Sequence, residues 1–158
     1  MSRGKSKTQK RLIKADPKFN STAVAKFINY IMEGGKKSTS QAVVYRAFDF
    51  ISEKTKLDAL DVFDKALKNV YPAMEVKSRR IGGANYQVPI PVHGDRKNTL
   101  AFRWVIGAAR AKKGKPMHIR LAEEIIAASE NAGDAVKKKE DVQRMAEANR
   151  AFAHFARY

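Results

Sequence analysis

Between residues 77 and 92 the helical spacing of apolar residues that governs the rest of the chain stops, and Lys-Ser-Arg-Arg-Ile-Gly-Gly-Ala-Asn-Tyr-Gln-Val-Pro-Ile-Pro-Val takes its place. Gly82-Gly83 accepts the positive φ values of a two-residue hairpin turn. Tyr86, Val88, Ile90 and Val92 then alternate onto one face of the returning strand, and Met74 and Val76 are expected to supply the matching face of the outgoing one. Pro89 and Pro91 lack the N–H that a central strand donates, so the segment, about 74–92, is predicted to be a two-stranded ribbon with a free edge. Lys77, Arg79 and Arg80 line one arm of a projection thin enough for a nucleic-acid groove, with Asn85 and Tyr86 beside its tip for hydrogen bonding and stacking.

The flanking sequence has a helical period. Val24, Phe27, Ile28 and Ile31 recur at i, i+3, i+4 and i+7, and Gly34-Gly35 offers a left-handed stop. Ser38 with Gln41 matches a capping box ahead of Val43, Val44, Ala47, Phe48 and Ile51. Asp58 caps a third helix carrying Leu60, Phe63, Leu67 and Val70, which ends before Tyr71-Pro72. After the ribbon, Asp95 or Asn98 starts a helix with Leu100, Ala101, Trp104, Val105 and Ala108 as its stripe, Trp104 being read as core. A fifth begins at Pro116, buries Leu121, Ala122, Ile125 and Ile126, and breaks at Asn131-Ala132-Gly133. The sixth runs from about Asp134 toward the end, with Val142, Met145, Ala148, Phe152 and Phe155 as its apolar face. The expected fold is therefore mainly α, a bundle of about six helices in a single domain (19–158) with one inserted hairpin.

Charge narrows the function. The 32 Lys and Arg against 16 Asp and Glu leave +16, a self-repelling balance that calls for a polyanionic partner. Arg3, Lys5, Lys7, Lys10, Arg11, Lys14 and Lys18 crowd an apolar-poor start, which reads as a flexible basic arm over 1–18 that orders on phosphates. Lys36 and Lys37 stand beside a helix start. Arg96, Arg103 and Arg110 fall seven apart on one helical face. Lys112, Lys113, Lys115 and Arg120 border the next junction, and Lys137, Lys138 and Lys139 open the last helix. Cations approaching from several directions suit folded RNA better than one DNA groove, leaving an architectural DNA-binding protein as the alternative and an RNA-modifying enzyme as a weaker one.

Other chemistries find no support in the sequence. His93, His118 and His154 lack the spacing of a helical metal site. Gly34-Gly35-Lys36-Lys37-Ser38 lacks the first glycine of a phosphate loop and follows a helix instead of a strand. No serine sits in a nucleophile elbow, so no enzyme, cofactor or small-molecule substrate is expected. Apolar runs fall short of a bilayer span and no leader opens the chain. With no cysteine, the expected address is cytoplasmic and away from membranes.

Ser78-Arg79-Arg80-Ile81-Gly82-Gly83-Ala84-Asn85-Tyr86-Gln87-Val88-Pro89 resembles the hairpin of the small-subunit ribosomal protein seven family in its bacterial form. Three further segments agree in order: Asp16-Pro17-Lys18-Phe19; Phe27-Ile28-Asn29-Tyr30-Ile31-Met32 leading to Gly35-Lys36-Lys37-Ser38; and Ala135 to Asp141 leading to Met145 through His154. The resemblance implies a structural, primary rRNA-binding protein that organises the head of the small subunit. It also implies that the hairpin tip (Gly82, Gly83, Ala84, Asn85, Tyr86) and the last helix (Lys137, Lys138, Lys139, Arg144) lie near exit-site tRNA and mRNA, with neighbouring small-subunit proteins as further partners.

Overall fold

A computed structural model describes residues 12–157. It contains α1 (Thr22–Ile31), α2 (Lys37–Thr55), α3 (Ala59–Val70), β1 (Met74–Ile81), β2 (Ala84–Pro91), α4 (Asp95–Ala111), α5 (Met117–Ser129), α6 (Asp134–Ala148) and a 3₁₀ segment, Arg150–Arg157. The mainly helical class with one inserted hairpin is as expected. No helix among the described residues is long and apolar enough to cross a membrane.

Local chemistry sets most element ends. Ser21 accepts from the Val24 N–H at α1 and Asp58 from the Leu60 N–H at α3, each satisfying a donor that the helix leaves free. Pro116 precedes α5, and Pro72 follows α3. Two expected signals act differently. α1 closes through extended Met32 before Gly34 and Gly35 turn with positive φ, and α2 starts at Lys37, which places Ser38 inside the helix and leaves the capping box unformed. Ser40 instead bonds back to the carbonyl oxygens of Lys36 and Lys37.

The helices close around Phe27, Phe48, Phe63 and Phe102, all fully buried. Phe63 lies 5.0 Å from Phe27 and 5.4 Å from Phe48 in tilted pairs. Truncating one such ring costs about 3–5 kcal/mol. α5 is the central helix, meeting α2, α3 and α4 through Leu121, Ala122, Ile125 and Ala128. α4 is rotated from the expected stripe: Phe102, Ile106 and Ala109 join Leu100, Ala101 and Val105 in the core, while Trp104 and Ala108 pack only at its margin. The helix is apolar around much of its circumference, so spacing alone does not select the buried face.

The ribbon is antiparallel with Arg79 opposite Tyr86, Lys77 opposite Val88 and Glu75 opposite Ile90. Gly82 and Gly83, at φ 57° and 91°, make its two-residue turn. This register corrects the expected outgoing face. Cross-strand partners share a face, so Glu75, Lys77 and Arg79 lie with Tyr86, Val88 and Ile90, whereas Met74 and Val76 oppose Pro91 and Pro89 on the other side. The pleat also separates Arg80 from Lys77 and Arg79.

Two boundaries differ from expectation. Asp16 is 3% exposed; it accepts from the Lys18 and Phe19 N–H groups and, at 2.8 Å, from the Tyr45 hydroxyl. The body therefore takes in Asp16 to Lys18, which the expected arm had included. At the other end α6 stops at Ala148, and the 3₁₀ segment turns back onto β2. Met145, expected in the core, is 47% exposed, while Ala135, Val136 and Ala146 are buried.

Candidate RNA interface

Five of the expected arm cations, Arg3, Lys5, Lys7, Lys10 and Arg11, lie outside the described residues. Those within them divide by what their charges already touch. Lys14, Lys36, Lys37, Arg79, Arg80, Arg103, Lys113, Lys137 and Lys138 have no carboxylate within ion-pair distance among the described residues. Arg103 is exposed, and its guanidinium lies 5.9 Å from the Tyr30 ring centre.

The start of α2 gathers cations from separate parts of the sequence. An open cleft of about 580 Å³ is lined by Glu33, Lys36, Arg110, Met117 and Arg120 among others. Thus the end of α4 and the start of α5 are brought to Lys36. A neighbouring cleft of about 670 Å³ joins Lys14 and Lys37 with Asn29 and Gln41. Arg110 reaches Glu33 at 2.6 Å and the Ile31 carbonyl at 3.1 Å. Both partners of that ion pair are well exposed, so it contributes about 0–1 kcal/mol and a phosphate can compete for the guanidinium.

Several of the expected cations also make contacts within the fold. Arg96 donates through Nε and Nη2 to Glu75 Oε2, at 3.0 and 2.8 Å, while Lys77 reaches Oε1 at 2.8 Å. Burial would raise the Glu75 pKa, but hydrogen bonds from Lys77 and Arg96 prevail and hold the carboxyl below its ordinary value. This cluster fastens the base of the hairpin to the first turn of α4. Arg120 donates to the carbonyl oxygens of Arg110 and Lys112, which α4 leaves free at its end. Lys115 pairs with Glu123 at 2.5 Å, and its hydrogen bond lowers that carboxyl's pKa. Lys139 donates to the Asn69 carbonyl at the end of α3, and Arg144 lies 3.5 Å from Asp141. Within the expected row of Arg96, Arg103 and Arg110, Arg96 and Arg110 have carboxylate partners and Arg103 has none among the described residues.

Glu124 is the residue that sequence spacing misses. It is fully buried, accepts from Ala135 N–H through Oε1 at 2.9 Å, and takes Lys112 on Oε2 at 2.5 Å. A buried carboxylate needs both kinds of partner. Its one sequence signal is its place beside Leu121, Ile125 and Ala128 on the apolar face of α5.

The hairpin tip is not wholly free. Gly82, Gly83, Ala84 and Asn85 are exposed, but the Tyr86 ring lies 5.2 Å from both Phe152 and Phe155. Tyr86, expected to be available for stacking beside the tip, is partly covered by Phe152 and Phe155.

A family model described as ribosomal protein S7p/S5e matches residues 2–150. A small ribosomal subunit protein uS7 from Thermotoga maritima is 59% identical over 149 residues, covering 94% of this chain and 96% of the relative. The uS7 of Syntrophotalea carbinolica is 58% identical over 146 residues (92% and 94%), and that of Roseiflexus castenholzii 51% over 150 (95% and 96%). With a helical body, one glycine-turned hairpin and near end-to-end similarity, the chain belongs to the ribosomal protein S7p/S5e family.

Proposed function

We propose that this protein is a non-catalytic structural constituent of the small ribosomal subunit in the cytoplasm, a primary rRNA-binding protein that organises the head. The observation that carries the reading is the gathering of Lys36, Arg110 and Arg120 around one cleft, with Lys14 and Lys37 around the next. A rigid helical body that offers cations in separate directions fixes rRNA helices relative to one another, because each phosphate contact constrains position without reading a base. Lys113, Arg103 and the ribbon cations Arg79 and Arg80 extend that surface. The hairpin tip, with Lys137, Lys138 and Arg144, faces exit-site tRNA and mRNA, and neighbouring small-subunit proteins complete the surroundings.

Chemical footprinting of the purified protein on small-subunit rRNA tests this directly, with binding to duplex DNA measured in the same salt. Protection of several separated rRNA helices, and weaker DNA binding, is the expected outcome. Equal affinity for duplex DNA and no rRNA footprint would overturn it.

A further inference from the structure

The 3₁₀ segment Arg150–Arg157 is braced against the hairpin by side chains. Runs of this helix beyond about 3–4 residues are uncommon because the hydrogen-bond geometry is poor, and this one has eight. Its anchor is aromatic. Phe152 and Phe155 stack at 6.3 Å and 11°, and both tilt against Tyr86. His154 lies 4.0 Å from Phe155 and bonds the Ala151 carbonyl.

The same residues have a second arrangement open to them. If α6 continued past Asn149, Met145, Ala148, Phe152 and Phe155 would fall three, four and three apart on one helical face. Exposed Met145 already lies on that face. The docked segment and the continued helix therefore compete, and they differ in what covers Tyr86.

Tyr86 lies opposite Arg79, a guanidinium without a carboxylate partner among the described residues, on a ribbon that is otherwise exposed at its tip. An aromatic face beside a guanidinium suits an unpaired base with its phosphate. We propose that the C-terminal 3₁₀ segment is a strap masking Tyr86, and that a base of single-stranded RNA stacks on Tyr86 by displacing Phe152 and Phe155. The ligand class rests on the RNA-binding reading above; the masking contact does not.

The test uses the full chain and a fluorescent single-stranded RNA decamer of mixed sequence. Phe152→Ala with Phe155→Ala removes the mask while leaving every charge in place. It should bind the decamer roughly tenfold tighter, the scale of a few aromatic contacts. Adding Tyr86→Ala should abolish that gain. Unchanged or weaker binding by the double variant, or a gain that survives loss of Tyr86, overturns the proposal. In the unaltered protein, nuclear Overhauser contacts between the Tyr86 ring and the two phenylalanines should vanish when the decamer saturates; their persistence also overturns it. Binding to structured rRNA should be the same with and without the mask. Its absence in the unaltered protein would refute the proposed function while leaving both strap measurements readable.

Discussion

At Glu75 a single carboxylate joins the hairpin to α4. Because the folded carboxyl is a stronger acid than the unfolded one, its contribution is complete above the ordinary value of 4.5 and is lost as pH falls through the lower folded value. Thermal stability should therefore decline with acid in that window, and Glu75→Gln should flatten the decline. At neutral pH the variant loses charge-assisted hydrogen bonds; each kcal/mol lost lowers Tm by about 2–4 °C in a chain of this size. Parallel melting curves for both proteins from pH 7 to 3 check this, and identical acid slopes would remove Glu75 from the account. Arg103 should behave in the opposite way. Its guanidinium lies over the Tyr30 ring, a contact worth about 0.5–1 kcal/mol at an exposed site. Arg103→Ala should accordingly leave Tm nearly unchanged and weaken rRNA binding about fivefold, the loss of roughly 1 kcal/mol. Arg96→Ala should lower Tm more, because it leaves Glu75 with Lys77 alone. Paired melting and filter-binding measurements distinguish the two.

At the scale of elements, the α5–α6 junction is set by a carboxylate and a missing side chain. Glu124 caps α6 by accepting from Ala135 N–H, and a Cβ on Gly133 would come within 2.9 Å of Glu124 Oε1. Gly133 also holds φ at 90°, where side chains are strained. Gly133→Ala should destabilise the protein by about 1–3 kcal/mol. Gly34→Ala should cost less, since at φ 57° its surroundings are open; denaturant titration of both variants measures the difference. This junction also shows where sequence reading stops. Apolar faces of α1, α2 and α3 are legible because their period is local. Glu124 is not, because a lone glutamate reads as surface until Lys112 and the Ala135 N–H, 12 and 11 residues away, are brought to it. The ribbon's register is present in the sequence: a two-residue turn at Gly82-Gly83 places Arg79 opposite Tyr86, and Met74 and Val76 are assigned to the wrong face only when that turn is not counted through. The end of α6 is hidden for a different reason, since its apolar spacing continues through Phe155 and tertiary contact with Tyr86 competes with it.

The whole molecule carries +16, and folding spends only part of its cationic surface on itself. Glu75, Glu123 and Glu124 each hold a lysine or arginine to the body, whereas the clefts beside α2 keep Lys14, Lys36 and Lys37 without carboxylate partners among the described residues. That division predicts how the basic start of the chain acts. Asp16, bound to Tyr45 and the Lys18 and Phe19 N–H groups, ties the chain to the body at that point. Its bond helps raise the Tyr45 pKa, together with the larger effect of burial, to about 12. Deleting residues 1–11 leaves this tie intact and should not change Tm. It removes Arg3, Lys5, Lys7, Lys10 and Arg11. If each of these meets a phosphate, the slope of log affinity against log salt should fall in magnitude by as much as about 4. Binding should therefore weaken most at low salt and converge with that of the full chain as salt rises. Filter binding of both proteins to small-subunit rRNA across a salt series gives the two slopes, and equal slopes would show that these cations do not meet the RNA. A lower Tm after deletion would show instead that the body begins before Leu12. Extending the deletion through Lys18 should then lower Tm sharply, since it removes the buried Asp16 carboxylate and leaves the Tyr45 hydroxyl without its partner.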